Sequence, residues 1–242
     1  MDAIRIENLR KEYKDVVAVD NLSLCVGRGE LLSLLGVNGA GKTTTIKMLS
    51  GLTRPTGGDA VLNGRSICSD AAGIKTLIGI SPQETAVAPG LSVRENLALI
   101  CGIYRFPREK REAKIRELTG LLGLETVIKK KAGKLSGGFQ RRLSIAMALI
   151  SEPEILFLDE PTLGLDVIAR SELWDLIRTL KGTVTIILTT HYMEEAEALS
   201  DRIAIMKNGR LLVCDTVEAI KNMAGTDSIE KAFIHIVKGE CE

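Results

Sequence analysis

Paired cysteines, an excess of charge of one sign and long apolar runs are all missing from this chain. Five cysteines, Cys25, Cys68, Cys101, Cys214 and Cys241, stand singly with no CxxC spacing. An odd, scattered set points to a reducing compartment and away from a disulfide framework. The two histidines, His191 and His235, stand far apart and away from any cysteine pair, which argues against a structural zinc site. Acidic and basic residues cancel to a net charge of +1. No global field therefore directs the chain to nucleic acid or an anionic membrane. The basic run IKKKAGK, residues 128–134, is local and reads as a solvated helix end or loop. No apolar stretch approaches the roughly 20 residues that cross a bilayer. The opening MDAIRIENLRKEYKD is charged from its second residue and does not read as a signal peptide. A membrane role would have to run through a partner.

What the chain does have is apolar residues in quantity. They make up 45% of 242 residues, enough for a substantial core in one large domain or two small ones. IRIENL (residues 4–9) and VAVDNLSLCV (17–26) alternate with period two and read as half-buried strands. LLSLLG (31–36) is almost wholly apolar, as a strand covered on both faces is, and a helix follows from Lys42 to about Ser50. DAVLNG (59–64) reads as an edge strand and KTLIGIS (75–81) as a buried one. From Ser92 to Leu149 the pattern turns helical, opening on a capping box of Ser92 and Glu95. EILFLDE (154–160), VTIILTT (184–190), RIAIM (202–206) and RLLVCD (210–215) read as further strands of the core sheet, with a helix through Leu173, Ile177 and Leu180 between the first two. Apolar strands alternating with helices predict an α/β fold with a parallel core. The early alternating strands and the helical middle read as insertions on it.

The chemistry is concentrated at strand ends. Gly36, Val37, Asn38, Gly39, Ala40, Gly41, Lys42, Thr43 and Thr44 spell GVNGAGKTT, a fit to GxxxxGK[ST] between a strand and a helix. Glycines there let backbone amides converge on a phosphate. Lys42 supplies positive charge to the β- and γ-phosphates, and the Thr43 hydroxyl suits Mg²⁺. EILFLDEP ends a buried strand on Asp159 and Glu160. Alone, such a pair is a solvated turn. Beside a phosphate loop, Asp159 reads as the Mg²⁺ acid and Glu160 as the base for an attacking water. His191, ending VTIILTT, reads as a γ-phosphate contact, and His235 as packing. A second anion-ready helix start lies at KLSGGFQRR, where Ser136, Gly137 and Gly138 open an amphipathic run.

The ordered set GVNGAGKTT, SPQ, LSGGF, ILFLDEP, GLD and TTH closely resembles the ATP-binding cassette (ABC) ATPases, over nearly the whole chain. The resemblance implies a P-loop core with a parallel sheet, an N-terminal antiparallel β-subdomain and a helical subdomain at about residues 84–150, together one ABC ATPase domain over 1–242. It implies that Tyr13 stacks on adenine and that Gln83 reaches the Mg²⁺ and attacking-water region. It also implies that Asp166 in GLD contacts a second subunit, and that Ser136, Gly137 and Gly138 form the signature turn. Two residues depart from the usual pattern: Phe139 stands where glutamine usually follows the second glycine, and Val167 where proline often follows Asp166. Phe139 also starts an apolar stripe with Leu143, Met147 and Ile150, which gives it a competing core role.

The family further implies ATP and Mg²⁺ as cofactors and a head-to-tail homodimer, or a pair with a related ATPase, sharing composite ATP sites. It implies integral-membrane permease subunits as partners, no nucleic acid, and a cytoplasmic, peripheral place on the inner face of the cell membrane. The run THYMEEAEALSDRIAIMKNGRL resembles export-type ATPases with separately encoded permeases. The alternatives are a soluble ABC-type mechanoenzyme of DNA repair or translation, a small-molecule kinase, and a nucleotide-binding regulator without hydrolysis.

Overall fold

The computed structural model describes residues 2–239, so Cys241 lies outside the described residues; the other four cysteines are free thiols. Two sheets carry the chain. In the first, β1 (Asp2–Tyr13) pairs antiparallel with β2 (Val16–Gly27). The alternation expected of β1 breaks between Ile6 and Leu9, where the register shifts and Asn8 adopts φ +49°. That bulge lets Ile6 and Leu9, three residues apart, both face the core.

Leucines fill β3 (Leu31–Leu35), every residue of which is buried. It runs into the glycine loop and α1 (Lys42–Leu49). β4 (Gly57–Leu62) returns to the first sheet beside β1, with the two-residue β5 (Arg65–Ser66) outside it. The next element departs from its sequence reading. Asp70 accepts a hydrogen bond from the Gly73 N–H at 2.9 Å and caps α2 (Ala71–Leu77). Lys75, Thr76 and Leu77 therefore belong to a helix, and only Ile78–Ser81 forms the buried strand β6. The cap decides the conformation where apolar content alone does not.

Three helices follow: α3 (Val93–Ile103), α4 (Arg108–Leu121) and α5 (Gly137–Leu149). The capping box of α3 is complete. Glu95 donates its N–H to Ser92 Oγ at 3.2 Å, and Ser92 donates its own to Glu95 Oε2 at 2.7 Å. That backbone bond from Ser92 holds the Glu95 carboxyl below its usual range. Leu97, Ile115, Leu118, Leu122 and Leu143 bury one stripe each from these helices into a shared cluster.

The chain then completes the core with β7 (Ile155–Asp159), α6 (Val167–Leu180), β8 (Thr185–Thr190), α7 (Met193–Leu199), β9 (Arg202–Lys207), β10 (Arg210–Asp215), α8 (Val217–Met223) and α9 (Ile229–Lys238). The strand order of the second sheet is β10-β9-β3-β8-β7-β6. All neighbours are parallel except the β9–β10 hairpin. Its five parallel strands therefore place the ends of β3, β6, β7 and β8 on one edge, where open α/β sheets hold ligands. Phe157 sits in the middle of β7 with no solvent exposure. Phe157→Ala should destabilise the fold by about 3–5 kcal/mol through cavity formation, read as a lowered urea midpoint.

Candidate active site

The glycine loop is shaped by steric necessity at two points. A Cβ on Gly36 would stand 2.5 Å from the Met206 carbonyl oxygen. Gly41 has φ +101°, and a Cβ there would stand 2.5 Å from the Ala18 carbonyl oxygen. Only glycine lets the loop pass this close to β9 and β2. Asn38, Gly39, Ala40, Gly41, Thr43 and Thr44 line a cleft of about 760 Å³, faced by Val16, Val17 and Ala18. Gly36 and Val37 line a smaller neighbouring cavity instead, with His191 and Phe233.

Lys42 is buried at the start of α1. Its ammonium donates to the Gly36 carbonyl at 2.7 Å and lies 3.5 Å from Glu160 Oε1. Its charge is thus held in the cleft by the loop that a phosphate would occupy. Thr43 Oγ1 donates to Asp159 Oδ1 at 3.2 Å, and Thr189 Oγ1 donates to the same oxygen.

Glu160 has an unusual backbone, with φ +49°. The conformation is fixed by its N–H, which donates to both the Thr189 carbonyl at 3.1 Å and Thr189 Oγ1 at 3.0 Å. The result turns its side chain off the strand into the cleft. There Oε2 accepts a hydrogen bond from His191 Nδ1 at 2.7 Å. Glu160 therefore stands between Lys42, at the start of α1, and His191, just past the end of β8. Gln83, after β6, lines the same cleft. The segments that follow β3, β6, β7 and β8 thus bring together a cation, two carboxylates, an imidazole and an amide.

Three predicted groups lie elsewhere. Tyr13 is at the exposed end of β1 with the Lys11 ammonium 4.8 Å from its ring centroid; Val16, its partner across the hairpin, lines the cleft. Asp166 caps α6, accepting from the Ala169 N–H at 2.9 Å. Ser136 is exposed at the start of α5 and forms no side-chain cap bond. Neither Ser136, Gly137, Gly138 nor Asp166 lines the cleft. Phe139 is half-buried against the helical cluster with the Arg142 guanidinium 5.4 Å from its ring, and Leu143 and Ile150 continue the stripe into the core. Gln140 bonds backwards, to the Ala132 and Leu135 carbonyls, each at 3.2 Å.

Three residues were not signalled by sequence. Thr189, from β8, donates to the Asp159 carboxylate and accepts from the Glu160 backbone N–H, yet in TIILTT it reads as one more buried strand residue. Glu195 is fully buried on α7, with Oε1 accepting from the Trp174 indole N–H at 3.2 Å and Oε2 lacking a hydrogen bond of good geometry. Burial pushes its carboxyl up, and the nearby Glu160 charge adds to the rise. Arg141, on the helix that Ser136 opens, is also buried.

The family model for ABC transporters matches residues 19–163. The chain belongs to the ABC transporter ATPase family. A Streptomyces coeruleorubidus daunorubicin resistance ATP-binding protein, DrrA3, is 40% identical over 229 residues, covering 94% of this chain and 72% of the relative. Rat ATP-binding cassette sub-family A member 2 is 44% identical over 230 residues; those cover 93% of this chain but 9% of that far longer protein. Among solved structures, an ATP-binding subunit of an ABC transporter superposes with a TM-score of 0.85 at 27% identity, covering 97% of this chain and 99% of that one. A dimeric post-hydrolysis state of an ATP-binding cassette bound to ADP and Pi superposes with a TM-score of 0.80 at 28% identity, over 88% and 98% of the respective chains. The two sheets, the helical middle and the P-loop edge are thus those of an ABC ATPase.

Proposed function

We propose that two copies of this ABC ATPase, or one copy and a related one, close head to tail around two ATP molecules and drive a separate membrane permease in export. The observation that carries the reading is the convergence of Lys42, Thr43, Asp159, Glu160, His191 and Gln83 on one cleft edge. In the cleft, the Lys42 ammonium neutralises β- and γ-phosphate oxygens. Glu160 accepts a proton from water as the water oxygen bonds to the γ-phosphorus and the bond to the β–γ bridging oxygen breaks. His191 orients Glu160 through its 2.7 Å bond and faces the same space. Thr43 and Asp159 offer hard oxygen donors side by side, which suits Mg²⁺; they and Gln83 would hold it, and it would neutralise phosphate charge. Among the described residues no three His, Cys, Asp or Glu side chains form a metal cluster, and Mg²⁺ in such sites completes its shell with water and phosphate.

The dimer reading rests on Ser136–Gly138. An exposed helix start with free amides, remote from its own cleft, suits a γ-phosphate presented by another chain. One such interaction contributes about 0.3–1 kcal/mol; several charge-assisted bonds in two sites together make closure favourable. Loss of the γ-phosphate releases it. A relative whose name records daunorubicin resistance supports export. The site supports hydrolysis over a silent regulator, since Glu160 and His191 are both in place.

Among the described residues no helix is long and apolar enough to cross a membrane. The permease contact is assigned to the segment from Gln83 to Asn96 and the groove beside it. That groove, about 440 Å³, lies between β6, α3 and α5 and is lined by Ile78, Ile80, Pro82, Ile100, Ile103 and Met147. Pro82 connects it directly to Gln83, so a short apolar-faced helix of the permease seated there would feel the nucleotide cleft. On this reading the ATPase sits at the cytoplasmic face of the membrane. The test is recovery of the tagged chain from detergent-solubilised membranes. Two copies should return with a protein bearing transmembrane segments. Ile103→Glu, at a side chain 66% exposed, should abolish that recovery while leaving the free chain's ATPase rate unchanged. Equal recovery with Ile103→Glu would move the docking site elsewhere; recovery of no membrane protein would end the transporter reading.

A further inference from the structure

Arg141 joins segments that the sequence keeps far apart. It lies on α5, five residues after Ser136, and is 4% exposed. Its Nη1 donates to the Pro82 carbonyl at 2.6 Å. Its Nη2 donates to the Gln83 carbonyl at 2.8 Å and to the Glu160 carbonyl at 3.4 Å. One side chain thus ties the helix of the signature turn to the two strand-end segments that face the nucleotide. A second tie lies one turn further along the same helix, where Ser144 Oγ and Ser81 Oγ stand 2.9 Å apart.

The chemistry of the bonds matters. All three acceptors are backbone carbonyls, so the guanidinium holds the path of the chain at residues 82–83 and 160 whatever their side chains do. The planar fork with several donors fits acceptors that come from separate segments, which a lysine's point charge does not reproduce. A buried cation also resists displacement. Moving α5 away from these carbonyls would strand a desolvated charge, which is costly. Burial pushes the Arg141 pKa down, against the charges of Asp159, Glu195 and Glu160.

We propose that Arg141 is a positioning residue that locks the signature turn to Gln83 and Glu160, so that nucleotide in a chain's own cleft sets how its signature turn is presented to the partner's ATP. This rests on the head-to-tail dimer reading. In such a dimer Gln83 and Glu160 act at one ATP and Ser136–Gly138 at the other, so Arg141 is the mechanical link between the two sites within each chain.

The experiment uses the full chain carrying Glu160→Gln, in which ATP-bound dimers are expected to accumulate. Two quantities are measured for this parent and for its Arg141→Gln and Arg141→Lys derivatives. The first is ATP affinity of the isolated monomer at low protein concentration. The second is the ATP concentration giving half-maximal dimer by light scattering. The expected result is monomer affinity within about twofold of the parent and a dimerisation midpoint raised about tenfold, within the usual range of intersite coupling. Arg141→Lys, which keeps the charge but loses the fork, should fall between the parent and Arg141→Gln. A midpoint unchanged in both derivatives would overturn the proposal. So would parallel loss of monomer ATP affinity in both, since that would mark Arg141 as a plain structural residue. If Arg141→Gln does not fold, the lysine variant alone decides. Failure of the parent itself to dimerise with ATP would instead remove the dimer reading, and the proposal with it.

Discussion

Glu160→Gln should keep ATP binding and lower turnover by roughly 10²–10⁴, the contribution of a positioned general base. The substitution is nearly isosteric, so the hydrogen bond from His191 Nδ1 retains an acceptor in the amide oxygen, and the backbone bonds from the Glu160 N–H to Thr189 do not involve the side chain. What it removes is the carboxylate proposed to accept the proton. It also removes the carboxylate charge 3.5 Å from the Lys42 ammonium, so that cation, still held by the Gly36 carbonyl, keeps no side-chain anion competing with phosphate. ATP affinity should therefore hold or rise, while the step that releases the dimer is blocked. Steady-state ATPase rates, ATP titration of the monomer and light scattering with ATP check the three parts. Hydrolysis near the parent rate would show that another group acts as the base.

Ser136→Arg should abolish turnover, to below about a hundredth of the parent as expected when a transition-state contact is displaced, without weakening ATP binding by the monomer. The physical basis is the exposure of Ser136 and its lack of any cap bond within its own chain. An arginine there has room in the isolated chain, so thermal stability should stay within about 0.5 kcal/mol, the usual range for surface changes. In a head-to-tail pair the same side chain would be forced against the partner's nucleotide. Monomer ATP affinity falling in step with turnover would place Ser136 at its own cleft and refute the shared-site reading.

The parts of the molecule that sequence disclosed are those where one local rule dominates. The phosphate loop was legible because only glycine passes Met206 and Ala18 at such distance. The start of α3 was legible because Ser92 and Glu95 satisfy each other's backbone. The almost wholly apolar runs of β3 and β7 read as central strands of a covered sheet. Legibility failed where tertiary contacts decide. Lys75 to Leu77 went to α2 because Asp70 caps it, although the apolar run reads equally well as strand. Arg141 and Glu195 look like solvated helix charges in RRLS and EEAEA, and only packing reveals them as buried. Thr189 is silent for the reason that makes it useful: its hydroxyl serves a neighbouring strand. The departure at Phe139 resolves on similar grounds. Gln140, one residue on, spends its amide on the Ala132 and Leu135 carbonyls, and the phenyl ring packs on the helical cluster, so this part of the turn is built for rigidity.

The left-handed backbone of Glu160 has a consequence for engineering. A residue with a Cβ held there costs the fold of order 1–3 kcal/mol, a cost that glycine would remove at once. Glu160→Gly would relieve that strain, but it would also strip the buried Lys42 ammonium of its carboxylate and remove the proposed base. Strain at position 160 is thus bound up with the charge balance of the cleft, and screens for hardier variants of this enzyme should hold Glu160 fixed.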